Sequence, residues 1–208
     1  MKTYAMSDIH GRMDVFDEML ALVALDDPEV RLVLLGDYID HGFRHPETYA
    51  ELKALQDAHP GNVIMLKGNV DVAFLEENGT ALSGELRRWV SHLPVHFETE
   101  RQIFVHAGID EEADDLWRWA SEDWYFLGKY PATTGPFYKD VIAGHVGTTT
   151  FCGEPRVWWD GEAHYYIDGS VESTGVIPLL AYDDATGRYT TFERTSAGAW
   201  AEVPVTAG

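Results

Sequence analysis

The sequence predicts an α/β fold built on a parallel sheet, and three observations carry that prediction. Over the first seventy residues, continuous apolar runs of strand length alternate with segments of helical period, giving β-α-β-α-β. The apolar runs lead into polar residues beside glycine, as in "SDIHG", "GDYIDHG" and "KGNVD". Beyond residue 94 the pattern changes to short strand-like runs joined by polar turns.

Residues 3–8 (TYAMSD) read as a short buried strand. Residues 12–25 place apolar side chains at 15, 16, 19, 20, 22 and 23, one face of a helix. Residues 30–37 (VRLVLLGD) form a second strand. Pro46 then opens a helix over 46–58, with Tyr49, Leu52 and Leu55 as its apolar stripe. Residues 61–69 (GNVIMLKGN) read as a third strand. A helix is expected over 80–93, although Gly84 weakens it. Residues 95–100 and 101–108 suggest a hairpin, and 111–126 a helix followed by an aromatic loop. Strands are expected at 139–145, 164–170, 176–182 and 188–193, the last two joined by the turn "DDATG". Residues 195–208 give no assignment. With no internal repeat or linker, residues 1–208 read as a single domain.

Composition narrows the function classes. A formal charge of −20 over 208 residues argues against a nucleic-acid backbone as partner. It leaves small phosphorylated ligands open, because bound divalent cations reverse the local field. No apolar run is long enough to span a membrane, so no membrane partner is expected. The lone Cys152 permits no intrachain disulfide, and with no apolar leader the expected setting is a reducing cytoplasm.

The chemistry sits where the apolar runs end. Asp8 and His10 follow the first, Asp37 and Asp40 the second, and Asn69 the third. His106 and His145 follow later runs. In open α/β sheets, groups at the carboxyl ends of strands meet in a crevice outside the sheet. Oxygen and imidazole donors without thiolate suit Mn, with Fe or Zn as alternatives. Two ions need a bridging carboxylate, and Asp37 is the natural candidate. Such a pair, ~3.5–4 Å apart, can clamp an in-line phosphoryl displacement.

The series Asp8-x-His10-Gly11, Gly36-Asp37-x-x-Asp40, Gly68-Asn69, His106-Ala107-Gly108 and Gly144-His145 resembles the calcineurin-like metallophosphoesterases. The likeness is greatest to the phosphoprotein-phosphatase branch, with its bacterial members and the symmetrical diadenosine tetraphosphatases. It implies a four-layer α/β/β/α sandwich of two mixed sheets flanked by helices, with the metal site at strand carboxyl ends. It also implies two divalent metal ions. Asp8, His10 and Asp37 would hold one, and Asp37, Asn69, His106 and His145 the other. The implied activity is hydrolysis of a phosphate ester or phosphoanhydride by a metal-bridging hydroxide. The substrate would be a phosphorylated small molecule or a phosphoprotein.

Three departures from the family pattern qualify this. Val70 stands where the family keeps a proton-donating histidine, although that histidine's usual partner, Asp40, is present. His41 replaces the arginine that usually follows Asp40, and Lys67 stands where arginine often precedes Gly-Asn. General acid assistance is worth ~10²–10⁴-fold, so Val70 predicts weakened turnover, most of all for alkyl esters. The alternative is a phosphatase-like module that binds metal and phosphate with little or no turnover. His41 is either an exposed loop histidine or a substitute proton donor acting with Asp40. Arg44 is either solvated or a phosphate ligand, and Lys67 is a second phosphate candidate. The aromatic run "LWRWASEDWYF" is expected to pack in the core, and Asp168 to cap a strand end. His45, His59, His92, His96 and His164 are expected to be structural or exposed. Asp71 is expected either to pair locally or to support the site.

Overall fold

The computed structural model describes all 208 residues. The three apolar runs form strands β1 (Lys2–Met6), β2 (Val30–Leu34) and β3 (Val63–Met65), joined by helices α1 (Met13–Leu20) and α2 (Thr48–Ala58). They pair in parallel, with Tyr4 opposite Leu32 and Leu32 opposite Val63. Helix α1 ends earlier than its apolar period suggests. Past Leu20 the chain tightens into three-residue turns, with Leu22 N bonded to Met19 O and Val23 N to Leu20 O. Those turns carry Val23 and Leu25 into the core without further helix.

The third strand is shorter than predicted, and a helix begins inside the expected strand. Helix α3 (Asn69–Asn78) opens at Asn69, and its first turn is capped by the Asp71 carboxylate, which accepts from Gly68 N at 2.9 Å. The segment's apolar stripe, Val70 and Phe74, is too thin to announce a helix by period alone. Helix α4 (Gly84–Ser91) is capped by Ser83, whose hydroxyl accepts from Leu86 N, and the start of the helix expected over 80–93 is instead a separate 3-10 turn, Gly79–Ala81.

Strands β4 (His96–Glu98) and β5 (Gln102–Val105) form the expected hairpin. A 3-10 stretch, Glu111–Leu116, leads into short helices α5 (Trp117–Ala120) and α6 (Asp123–Gly128), where an aromatic loop was expected. Next come β6 (Asp140–Ala143), α7 (Thr149–Cys152), β7 (Trp158–Trp159), β8 (His164–Tyr166) and α8 (Val171–Thr174). The chain finishes with β9 (Leu180–Asp183), β10 (Arg188–Arg194) and β11 (Trp200–Pro204). The unassigned tail thus supplies an edge strand, with Trp200 opposite Arg194.

Two mixed sheets result, in the orders β11-β10-β9-β1-β2-β3 and β4-β5-β6-β8-β7. Alternation along each strand decides the layers. On the first sheet, Tyr4, Met6, Leu32 and Leu34 pack on Phe16, Met19, Leu52 and Phe74 of the helices. The intervening Ala5 and Val33 face Phe104, Ile142 and Tyr165 of the second sheet. The outer face of that sheet, through Ile103, Val105 and Val141, packs against Trp117 and Phe126. The architecture is therefore the α/β/β/α sandwich. The aromatic run divides: Trp117 and Phe126 are core, whereas Trp119 and Trp124 are exposed. No helix is long and apolar enough to cross a membrane.

Candidate metal centre

The strand ends converge because the backbone turns sharply as each strand stops. Asp8, His10, Asp37 and His145 have φ of 56°, 45°, 55° and 61°, in the left-handed region. For residues other than glycine this conformation costs roughly 1–3 kcal/mol each and persists where surrounding structure enforces it. The enforcing contacts are visible. His10 N donates to Asp37 O, and Asp8 N to Gly36 O, which locks the first turn onto the second. Two glycines permit the approach. A Cβ on Gly68 would lie 2.1 Å from Asp37 Oδ1, and one on Gly144 would lie 2.2 Å from Asp8 Oδ2.

Ligating atoms of Asp8, Asp37 and His106 lie within 4.8 Å of one another, and all three residues are buried. Asp8 Oδ1 is 3.7 Å from His10 Nε2, and Asp37 Oδ2 is 3.5 Å from His106 Nε2. His10 Nδ1 bonds the Ile39 carbonyl and His106 Nδ1 the Leu35 carbonyl, so each ring directs Nε2 inward. Asp8 Oδ2 also accepts from His145 N at 3.1 Å.

The Asn69 amide tests whether this arc suits a cation. Its side chain lies 2.8 Å from His106 Nε2, and the His106 ring is fixed by Nδ1 donating to Leu35 O. Turning the amide would let its NH₂ donate to His106 Nε2, His145 Nδ1 and Leu127 O at 2.8, 2.9 and 3.1 Å. In either orientation the amide stands against His106 Nε2, itself 3.5 Å from Asp37 Oδ2, so oxygen and imidazole atoms of the kind that ligate divalent ions share one site. The donor set fits a divalent metal.

The electrostatics agree. Burial opposes charge on His10, yet Asp8 and Asp37 hold its pKa up to about 10. Burial, reinforced by the charges of Asp8 and Asp71 and opposed by His106, pushes Asp37 up to about 6. Asp168 rises to about 7 through burial and the charge of Asp8. Asp8 falls to about 2, its burial overcome by His10 and His106, and His145 falls to about 4 through burial and then His106. The pocket thus concentrates more negative charge than its own protons comfortably neutralise.

Asp71 resolves as support for the site. Fully buried, it accepts from Asp37 N, Gly68 N, Tyr38 N and Tyr49 OH at 2.9, 2.9, 3.2 and 2.9 Å. Val70 keeps only a backbone role: its N–H donates to Asp37 Oδ1 at 2.8 Å while its side chain joins the core beneath.

Around the arc lies a polar rim. Asp40 is buried and binds Arg44, which donates from its backbone N at 2.9 Å and from Nε at 2.7 Å. Burial works against the charged Asp40, and these bonds hold its carboxyl below the usual range. The Arg44 side chain is otherwise exposed. His41 stacks on His10, with ring centroids 4.5 Å apart, and its side chain makes no hydrogen bond or ion pair with that of Asp40. Its Nδ1 instead meets Glu172 Oε2 at 2.6 Å. His45, expected to be incidental, comes within 4.0 Å of Asp40. Lys67 turns away: Nζ donates to the Ser91 carbonyl at the end of α4. A cavity of about 130 Å³ opens among His10, Asp40, Arg44, His45 and Glu172.

Asp168 caps the end of its strand, Oδ1 accepting from Ser170 N at 2.6 Å, and also faces the charge of Asp8. Glu172 escaped the sequence reading altogether. It lies in a four-residue helix with no motif, and only the tertiary fold brings it beside His41.

A two-sheet sandwich with Asp, His and Asn gathered at its strand ends defines the metal-dependent phosphoesterase class. The chain belongs to the calcineurin-like phosphoesterase family, whose model matches residues 1–184. A symmetrical bis(5'-nucleosyl)-tetraphosphatase of Dechloromonas aromatica (strain RCB) is 28% identical over 179 residues, covering 77% of this chain and 59% of that protein. This chain thus spans less than two thirds of the length of the curated relatives it matches. The cold-active protein-tyrosine phosphatase of a psychrophilic Shewanella superposes with a TM-score of 0.66 at 18% identity, covering 97% and 80% of the two chains. A serine/threonine phosphatase of Saccharomyces cerevisiae gives 0.62 at 13% identity, covering 100% and 81%. At such identities these two structures establish the fold alone.

Proposed function

We propose that the chain hydrolyses phosphate esters or phosphoanhydrides with two divalent cations. Asp8, His10 and Asp37 hold one, and Asp37, Asn69, His106 and His145 hold the other. The carrying observation is that ligating atoms of the buried Asp8, Asp37 and His106 lie within 4.8 Å of one another, with the Asn69 side chain 2.8 Å from His106 Nε2. Mn²⁺ is the preferred ion, with Fe or Zn tolerated, because the donors are oxygen and imidazole. Bound there, the cations supply Lewis acidity for activating water and neutralising charge on the phosphoryl oxygens.

The chain's own residues bind and orient. Arg44, held on Asp40, offers its terminal N–H groups to a phosphoryl oxygen at the cavity rim. Asp40 orients that arginine, in place of the histidine it accompanies elsewhere in the family. Lys67 has no part, since its ammonium serves α4. His41 gives the leaving oxygen its proton, a task that a buried valine cannot perform. The similarity to dinucleoside tetraphosphatases favours a nucleotide anhydride, a substrate with a good leaving group. A phosphoprotein is the second substrate class.

The test is hydrolysis of p-nitrophenyl phosphate and of a dinucleoside polyphosphate by chelated protein resupplied with Mn²⁺. We expect turnover with both and loss on chelation. Two bound metals by elemental analysis, with no turnover on any ester or anhydride, would leave only a metal- and phosphate-binding module.

A further inference from the structure

The rim contains a pair that the family motifs do not include: His41, in place of the usual arginine, and Glu172, outside any motif. His41 and Glu172 are separated by 131 positions, yet Nδ1 and Oε2 meet at 2.6 Å. On its other side the His41 ring lies on the His10 ring, with planes 25° apart. An imidazole that is 64% exposed is therefore held by two contacts from different parts of the chain. A free loop histidine would have neither.

Glu172 is itself held from below. The segment before it turns through Ser170, whose φ is 53°, with Asp168 Oδ1 accepting from Ser170 N. Thr174 Oγ1 donates to Gly169 O at 2.6 Å. The packing is tight enough that a Cβ on Gly147 would sit 2.3 Å from Ser170 Oγ. Helix α8 then begins with Val171 buried, which leaves Glu172 to project at the rim. Meanwhile Asp40 is committed to Arg44. The two rim carboxylates therefore serve two different partners, a guanidinium and an imidazole.

We propose that Glu172 is the positioning residue for proton transfer to the leaving group. Its carboxylate accepts the Nδ1 hydrogen of His41 and so presents Nε2 to the leaving oxygen. This rests on the phosphoesterase reading above. As the scissile P–O bond breaks, its electron pair stays on the leaving oxygen, which takes the proton from Nε2. Water supplies the oxygen of the new P–O bond and releases a proton to solvent, and His41 regains one from solvent. A carboxylate on Nδ1 fixes the tautomer and steadies the imidazolium, as in other acid–base dyads. Asp40 with Arg44 thus grips phosphate, and Glu172 with His41 serves the departing group.

The experiment compares the full chain with its Glu172→Gln, Glu172→Asp and His41→Gln variants, all with Mn²⁺. Each is assayed on p-nitrophenyl phosphate, which leaves without help, and on glycerol phosphate, which needs a proton. We expect the ratio of alkyl to aryl kcat to fall at least about tenfold in Glu172→Gln and in His41→Gln. The double variant should lose no more than His41→Gln alone, and Glu172→Asp should recover part of the loss. Nitrogen-15 NMR of the metal-free protein should show His41 protonated at Nδ1, a signal lost in Glu172→Gln while the melting temperature is unchanged. An unchanged ratio in Glu172→Gln, with the parent active, would overturn the proposal. So would loss of a bound cation from that variant, since ligating atoms of His10, His41 and Glu172 lie within 4.8 Å of one another and would then form a metal site. Failure of the parent on every ester and anhydride would overturn the phosphoesterase reading and this inference with it.

Discussion

The ligand arc and the rim differ in how they are held. Most arc side chains are buried and are aimed by the main chain, through left-handed turns, carbonyl-bonded imidazoles and glycines in van der Waals contact. Apart from the buried Asp40, the rim side chains are largely exposed and are aimed by one another, in the pairs Asp40–Arg44 and His41–Glu172. The difference separates two tasks. Holding cations needs a cage that does not relax, whereas handling substrate needs groups that can be re-partnered. Loss of one rim group, here the histidine replaced by Val70, need not disturb the cage.

The strongest way to break this contrast is at Asp37. Asp37→Asn should lower kcat by more than about a thousandfold, since it removes charge stabilisation at the centre. It should also reduce bound metal below two ions per chain by elemental analysis. Next comes the support beneath the cage. Asp71→Ala strands three N–H groups and one hydroxyl, so unfolding in urea should show a loss of about 3 kcal/mol or more. If Asp71→Ala were neutral, the claim that the main chain sets the arc would fail.

Rim changes should be milder. Arg44→Ala should raise KM about tenfold for any phosphate ester, with kcat affected less. Val70→His should alter turnover by less than about tenfold, because its natural partner Asp40 already carries Arg44 at 2.7 Å. A gain of a hundredfold there would show the rim to be a damaged version of the family arrangement and not a rebuilt one.

A further contrast concerns pH. His10 in the cation-free site is held up to about 10, so folding contributes stability below the unfolded value of 6.5 that is lost as pH rises through 10. The raised carboxyls of Asp37 and Asp168 favour folding when protonated and have lost that contribution once pH has risen from about 4 through about 6 and 7. Chelated protein should therefore melt roughly 5–10 °C lower at pH 10 than at pH 7. Saturating Mn²⁺ should flatten the dependence, because a bound cation replaces the proton.

What could be read from the sequence follows the same division. The three β-α units, and the meeting of Asp8, Asp37 and His106, were legible because each strand end carries a polar side chain beside or near glycine. Helix α3 was not, since its apolar stripe is only Val70 and Phe74, and a strand reading ran into its first residue. Asp71 was legible as a polar residue near the loop but not as a fourfold acceptor, because its donors come from two distant segments. Glu172 was invisible for a similar reason: nothing local to a four-residue helix records what lies 131 positions away.

The left-handed turns at Asp8, His10, Asp37 and His145 also limit how this centre can be altered. Aspartate, asparagine and histidine tolerate that backbone better than other side chains, and glycine better still. Exchanging one of these proposed ligands for cysteine or glutamate, to retune the preferred metal, would therefore meet resistance from the chain before any question of coordination arose. The practical alphabet at these four positions has few letters, and it is the backbone that chooses them.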